Sequence, residues 1–378
     1  MLNALQKEPI ALVNNKRDIV MPENIRPTPS LDNPDQVKER LQEWLNAEAF
    51  KDKSLTLSDF EIPEGTGMSN ITIMMKAEWH ENVKSQSQDM VVRVQAQGDK
   101  LAFPSYDLPM QYAVMQALNQ MPDIHVPQLV AQETTGAVLG VPFYIMQKTD
   151  GLIPPDIPPY HIDGWIVAST KEERANMWWA GVEMMARLHQ QSIQQEPLKS
   201  FIKHHDFPQN ITEQLQYWED YMQWGFEGQH NVDCEKALAW LKENKPITEP
   251  QGFCWGDSRM ANVIFNSDKK SVAAMLDWEM LTLGNPIQDI AWWIFMDELF
   301  SVGLGCERLE GFPTRKETIE RWAELTQLPI EHLHYYLVFA GLRISLILAR
   351  MSLAKGDNSM VKESFASQYM MKVLGEVQ

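Results

Sequence analysis

The sequence predicts an α+β chain in two lobes, a β-rich N-lobe followed by a mostly helical C-lobe. Three observations lead there. The chain has 378 residues, beyond the roughly 250–300 at which one hydrophobic core stops growing. Up to about residue 149 the apolar runs are short, strand-like and bounded by glycine or proline, and after it stretches of helical period dominate. Between the two lies PPDIPPY, residues 154–160, a stiff connection. These features divide the chain into an N-terminal arm at 1–33, an N-lobe at 34–148 and a C-lobe at 149–378, with a hinge near 147–151.

Taken in order, residues 1–33 are polar and without a period. Asn33 and Pro34 then read as a helix cap and a first helical proline. The helix they open carries Val37, Leu41, Trp44 and Leu45 on one stripe. LTLSDFEI, ITIMMKAEW and MVVRVQA read as strands, LPMQYAVMQALNQM as a helix, and VPQLVAQE and VPFYIMQKT as two more strands. Helices are expected at 171–191, 208–224, 233–243, 286–301, 314–326 and 331–353, interrupted by a β island at about 252–277.

Composition narrows the function. Thirty-three basic against fifty-one acidic residues give a net charge of −18. That field repels nucleic acid and anionic membranes, so neither is expected as a partner. Cys234, Cys254 and Cys306 form no CxxC pair or disulfide framework, which fits a reducing, cytoplasmic setting. The N-terminus lacks an apolar stretch of signal-peptide length. The most apolar later run, LVFAGLRISLIL, has twelve residues and contains Arg343, where a membrane span needs about 20. Thirteen tryptophans and twenty-two methionines are expected mostly in the core, with a Met- or Trp-lined ligand pocket as the alternative. His204, His205 and Asp206, like His332 and His334, lack zinc-site spacing and read as surface groups. No Ser-His-Asp arrangement stands out.

The β island holds the chemistry. VIF and VAAML flank NSDKKS, a turn by composition. If they pair as a hairpin, Asp277 after the second strand returns to Asn262 before the first. Asp257 lies five residues upstream of Asn262. Two carboxylates and an amide oxygen then converge, a donor set that suits Mg²⁺ bound together with phosphates. Asp257 is left to orient a hydroxyl. Two further features are weaker. Gly65, Thr66, Gly67, Met68, Ser69 and Asn70 form a glycine loop between strands, either a plain turn or an anion loop. Arg93, amid β-branched residues, is either an edge cation or a phosphate grip. Gln111 lies on the apolar stripe of its helix and needs a partner if buried, with Arg93 as a candidate.

In this order the pieces resemble the aminoglycoside phosphotransferase family, whose fold is protein-kinase-like, over roughly residues 55–350. The motifs are EGTGMSN, VVRV, VLGVPFYIMQKTDG, MARLHQ, WGDSRMAN and MLDWEMLTLGNPIQDIAW. The chain is most similar to the branch that includes kinase-like domains fused to acyl-CoA dehydrogenases. The resemblance implies an ATP- and Mg²⁺-dependent phosphotransferase acting on a small-molecule hydroxyl, aminoglycoside-like or hydroxyacyl, with GTP an alternative donor. It makes Asp257 the proton acceptor and Asn262 and Asp277 the metal ligands. Arg93 and residues 65–70 would bind phosphates, and backbone near Gln147 and Thr149 the adenine edge. Asp289 would brace the catalytic loop. Arg259 would neutralise the transferring phosphate, or simply pair with a nearby carboxylate. Glu279, Asp297 and Glu298 are placed toward the acceptor.

Three positions depart from the family pattern. Trp255 replaces the loop histidine, Arg93 the strand lysine, and Gln111 the helix glutamate. These departures open the alternative of a degenerate, nucleotide-binding module.

Overall fold

Helix α1 (Pro34–Glu48) starts at the predicted proline and buries Leu41 and Leu45 of the predicted stripe. This computed structural model describes residues 34–51, 53–61, 70–81, 84–98 and 100–377. The arm at 1–33 and the expectations for Gly65, Thr66, Gly67, Met68 and Ser69 lie outside them.

The N-terminal sheet contains β1 (Thr56–Leu57), β2 (Ile71–Glu81), β3 (Lys84–Val94), β4 (Leu129–Glu133) and β5 (Phe143–Gln147), with α2 (Leu108–Leu118) between β3 and β4. Its order is β1-β2-β3-β5-β4 and every pairing is antiparallel. Alternation sorts the side chains by face. Ile73, Met75, Val92, Val94, Phe143 and Ile145 pack with Leu41 and Leu45 of α1. Val91, Tyr144 and Met146 join α2 in the larger core that continues into the helical part. The expected strand LTLSDFEI shrinks to Thr56–Leu57 and an isolated bridge at Glu61. At that point the Lys76 N–H goes to the Ser58 hydroxyl, 2.9 Å away, instead of to a strand carbonyl.

After β5 follow α3 (Trp165–Ala168), α4 (Lys171–His189), α5 (Leu198–His204), α6 (Ile211–Gly225) and α7 (Val232–Glu243). The β island comprises β6 (Gly252–Cys254), β7 (Val263–Phe265), β8 (Val272–Met275) and β9 (Thr282–Gly284). Five helices close the chain: α8 (Ile287–Leu299), α9 (Arg315–Thr326), α10 (Leu333–Ala354), α11 (Ser359–Lys362) and α12 (Phe365–Leu374). Capping boxes at Thr170/Glu173 and Thr314/Glu317 set the starts of α4 and α9. The sequence reading did not include α3, α5, α11 or α12.

The twelve-residue apolar run is the middle of α10, which spans 22 residues. By length and composition α10 could cross a membrane, but here it is the central core helix, packed on α6, α7, α8 and α12. Six tryptophans, at positions 178, 255, 278, 292, 293 and 322, are fully buried.

Candidate active site

The loop 255–262 leaves β6 through a turn that only glycine fits. Gly256 has φ +93°, and a Cβ there would lie 1.9 Å from Met280 O. Asp289, near the start of α8, fixes this turn from beneath. Its Oδ2 accepts from Trp255 N at 2.6 Å and its Oδ1 from Gly256 N at 2.9 Å. The Ser258 hydroxyl donates to Asp289 O at 2.7 Å.

His189 completes the brace. Its Nδ1 accepts from Trp322 Nε1, so the ring proton sits on Nε2 and points at Asp289 Oδ2, 3.0 Å away. From α10, Arg343 donates to Gly256 O at 2.6 Å and stacks on Trp292 at 4.1 Å. Burial pulls its pKa down to about 10. Trp255 ties the loop to Leu276 O through its indole N–H at 2.8 Å.

β7 and β8 pair as the predicted hairpin, Val263 opposite Met275, and Leu276 N donates to Asn262 O at 2.8 Å. The return brings Asp277 to the Asp257–Asn262 loop, with a left-handed backbone at φ +61°. Asn262 Nδ2 donates to Asp257 Oδ2 at 2.7 Å and to Asp257 O at 2.9 Å.

Across the cleft, Arg93 donates to Thr72 Oγ1 at 2.8 Å and stands 3.9 Å from Asp277 Oδ1. Burial works against the Arg93 charge, but Asp277 and Tyr144 hold its pKa above the ordinary value. Burial also pushes the Asp277 pKa up; Arg93 pulls it back and the Asp257 charge adds to the rise. Asp277 Oδ1 is buried without a hydrogen-bond partner among the described residues.

Arg259 is paired with two carboxylates. Its Nε donates to both Asp257 oxygens at 3.1 Å, and its Nη1 to Asp156 Oδ1 at 2.5 Å. Burial opposes this charge, yet Asp257 and Asp156 outweigh it and raise the pKa.

Asn70, the one described residue of the glycine loop, is 3% exposed, and neither side-chain polar atom has a partner among the described residues. Gln147 ends β5 with its N–H on Gln128 O at 2.8 Å. Gln111 is buried, but its Nε2 is unpartnered among the described residues, and Arg93 bonds Thr72 instead.

Two acceptor-side expectations need correction. Asp297 is buried and held by Tyr160, His161 and Arg308, while Glu298 is gripped by Arg315 and Tyr369. Both serve packing within the helical part. The charge of Glu279, in contrast, acts on Arg93, Tyr106 and Tyr217.

The sequence reading missed two further residues. Trp292 Nε1 donates to Asp257 Oδ1 at 2.9 Å. It follows Asp289 by one helical turn, and that i, i+3 spacing was a usable signal. Asp156, the partner of Arg259, lies in the proline-rich connection, where no spacing links it to the loop.

The chain is 25% identical over 274 residues to acyl-CoA dehydrogenase family member 10 of Mus musculus, covering 70% of this chain and 24% of that protein. It thus spans about a quarter of that relative's length. The fold matches a candidate aminoglycoside phosphotransferase of Ralstonia eutropha with TM-score 0.63 and 19% identity, covering 88% of this chain and 98% of the other. It also matches a ternary complex of a thermostable mutant of aminoglycoside phosphotransferase APH(4)-Ia with AMP-PNP and hygromycin B. There the TM-score is 0.53 and the identity 13%, over 88% of this chain and 97% of the other. The family model described as the phosphotransferase enzyme family matches residues 81–325, which include the whole braced loop, its hairpin and Arg93. The chain belongs to that family and has its kinase-like fold.

Proposed function

We propose that the protein is an ATP- and Mg²⁺-dependent phosphotransferase that acts on a hydroxyl of a small molecule. One observation carries the reading: Asp257, Asn262 and Asp277 meet at one end of the β7–β8 hairpin, with Arg93 facing Asp277. Asp257 is placed to accept the proton of the acceptor hydroxyl while that oxygen attacks the γ-phosphorus. The bond to the bridging oxygen of ADP breaks as the new P–O bond forms. The transition state is loose, so positioning and charge supply most of the rate.

The residues fit a hard cation. Asp277 offers a buried oxygen with no hydrogen-bond donor among the described residues, and Asn262 has its Nδ2 turned to Asp257, which leaves its carbonyl oxygen to ligate. A Mg²⁺ held by these two would neutralise phosphate charge. The nucleotide belongs between the lobes at 34–148 and 149–378, with Arg93 on its phosphates. ATP is supported by the AMP-PNP in the structurally similar complex.

The acceptor is a hydroxylated small molecule, aminoglycoside-like or hydroxyacyl. Hygromycin B in the same complex speaks for the first and the acyl-CoA dehydrogenase relative for the second. The free cysteines 234, 254 and 306 are in keeping with a reducing, cytoplasmic setting.

An ADP-release screen over amino sugars and hydroxyacyl compounds tests the reading. Wild type turns over at least one class. Asp257→Asn loses roughly 10²–10⁴-fold in rate, the range of general acid–base contributions, and still binds ATP. A chain that binds MgATP but phosphorylates neither class is a nucleotide-binding module instead.

A further inference from the structure

The Asp257 carboxylate is held by three donors of unequal kind. Trp292 and Asn262 are buried parts of the scaffold. Arg259 is a long side chain that reaches out to a second segment, 103 residues earlier in the chain, for its other anion, Asp156.

The loop that carries Asp156 is built to hold it there. Leu152 exchanges backbone hydrogen bonds with Phe265 of β7, at 2.8 and 2.9 Å. Trp165 Nε1 donates to Ile153 O at 3.1 Å. Pro154, Pro155, Pro158 and Pro159 stiffen the stretch between these anchors and the Tyr160 and His161 bonds to Asp297. The Asp156 side chain is 42% exposed and that of Arg259 19%, so water screens part of what the pair adds to stability. A rigid mount for such a pair points to a role beyond holding the fold.

A guanidinium has five N–H donors in a planar fork. In Arg259, Nε is given to Asp257 and one Nη1–H to Asp156, while the remaining Nη donors make no hydrogen bond among the described residues. With one anion the fork can pivot about Nε; with two it has a single orientation.

We infer that Asp156 is a positioning residue, which holds one edge of the Arg259 guanidinium so that its unused N–H groups meet the oxygens of the transferring phosphoryl group. The inference rests on the proposed phosphotransferase reading.

The test is thermal unfolding of the full chain with MgADP, then with MgADP plus aluminium fluoride, a stand-in for the transferring phosphoryl group. Wild type gains stability with MgADP and more with aluminium fluoride. Arg259→Ala keeps the first gain and loses the second. Asp156→Asn does the same, its affinity for the fluoride complex falling about tenfold, the scale of one charge-assisted hydrogen bond. Asp156→Glu restores the second gain, and the double variant loses no more than Arg259→Ala alone.

The inference is overturned if Asp156→Asn keeps the full aluminium fluoride gain. It is equally overturned if that variant loses the MgADP gain or melts early without ligand, since either marks a structural role. A wild type that responds to MgADP but not to aluminium fluoride sinks the inference alone. A wild type that ignores MgADP sinks the phosphotransferase reading with it.

Discussion

The indole N–H of Trp292 donates to Asp257 Oδ1 at 2.9 Å, so the carboxylate at the centre of the site is oriented from helix α8 as well as from its own loop, where Asn262 and Arg259 donate to it. The same ring lies under the Arg343 guanidinium, which holds the Gly256 carbonyl. One helix therefore both braces the loop, through Asp289, and aims its carboxylate.

Trp292→Phe removes the donor and keeps a ring against Arg343. A hydrogen bond to a charged group contributes about 1.5–3 kcal/mol. Turnover should then fall by roughly 10–100-fold, while the ligand-free melting midpoint moves only a few degrees. Steady-state rates and a melt on the same preparation check this. Unchanged turnover would show that Asp257 needs no help from α8.

Gly256→Ala places a methyl against Met280 O in a backbone conformation that side chains avoid. Strain of this kind costs on the order of 1–3 kcal/mol before the clash is relieved. The variant should unfold at clearly lower urea and lose activity with it. A wild-type urea midpoint would mean that the turn can relax, and that the close approach is not what places Asp257.

Asp297 makes a stability prediction with a pH signature. Burial raises its pKa, but the bond to His161 and the charge of Arg308 outweigh that and hold it below the usual carboxylate value. A folded pKa below the unfolded one means that the stabilisation is present above the unfolded value, about 3.9. It is lost as pH falls through the folded value. Asp297→Ala leaves His161 and Arg308 facing an emptied site and should cost about 3–5 kcal/mol at neutral pH. Urea titrations at pH 7 and pH 3 should show the gap to wild type shrinking in acid. An equal gap at both would remove the ionised pair from the account.

What could be read ahead of the structure depended on distance along the chain. Asn262 and Asp277 are joined by one hairpin, so turn composition and two short apolar runs suffice to bring them together. The face-sorting of β2, β3 and β5 follows from alternation alone. Trp292 was within reach, one turn from Asp289, but its two apolar neighbours made it look like ordinary core.

Asp156 and Arg259 meet only because Leu152 pairs with Phe265, a long-range backbone contact that no local pattern signals. Asp297 and Glu298 were misplaced for a related reason. Their acidity suggested a cleft, and their partners Arg308 and Arg315 come from segments whose packing on α8 is invisible in the sequence.

Asp277 is the proposed anchor for a metal-bound nucleotide. Thermal unfolding of wild type and Asp277→Ala, with and without MgATP, tests it most directly. A ligand at about 100 times its Kd that binds only the folded state adds roughly 2.7 kcal/mol, enough to raise the midpoint measurably. The prediction is an upward shift with MgATP in wild type, whose metal-dependent part disappears in Asp277→Ala. No shift with ATP or GTP, in Mg²⁺ or Mn²⁺, would contradict the account, and Arg93, Gln111 and Trp255 would then mark a kinase-like fold that has lost its nucleotide.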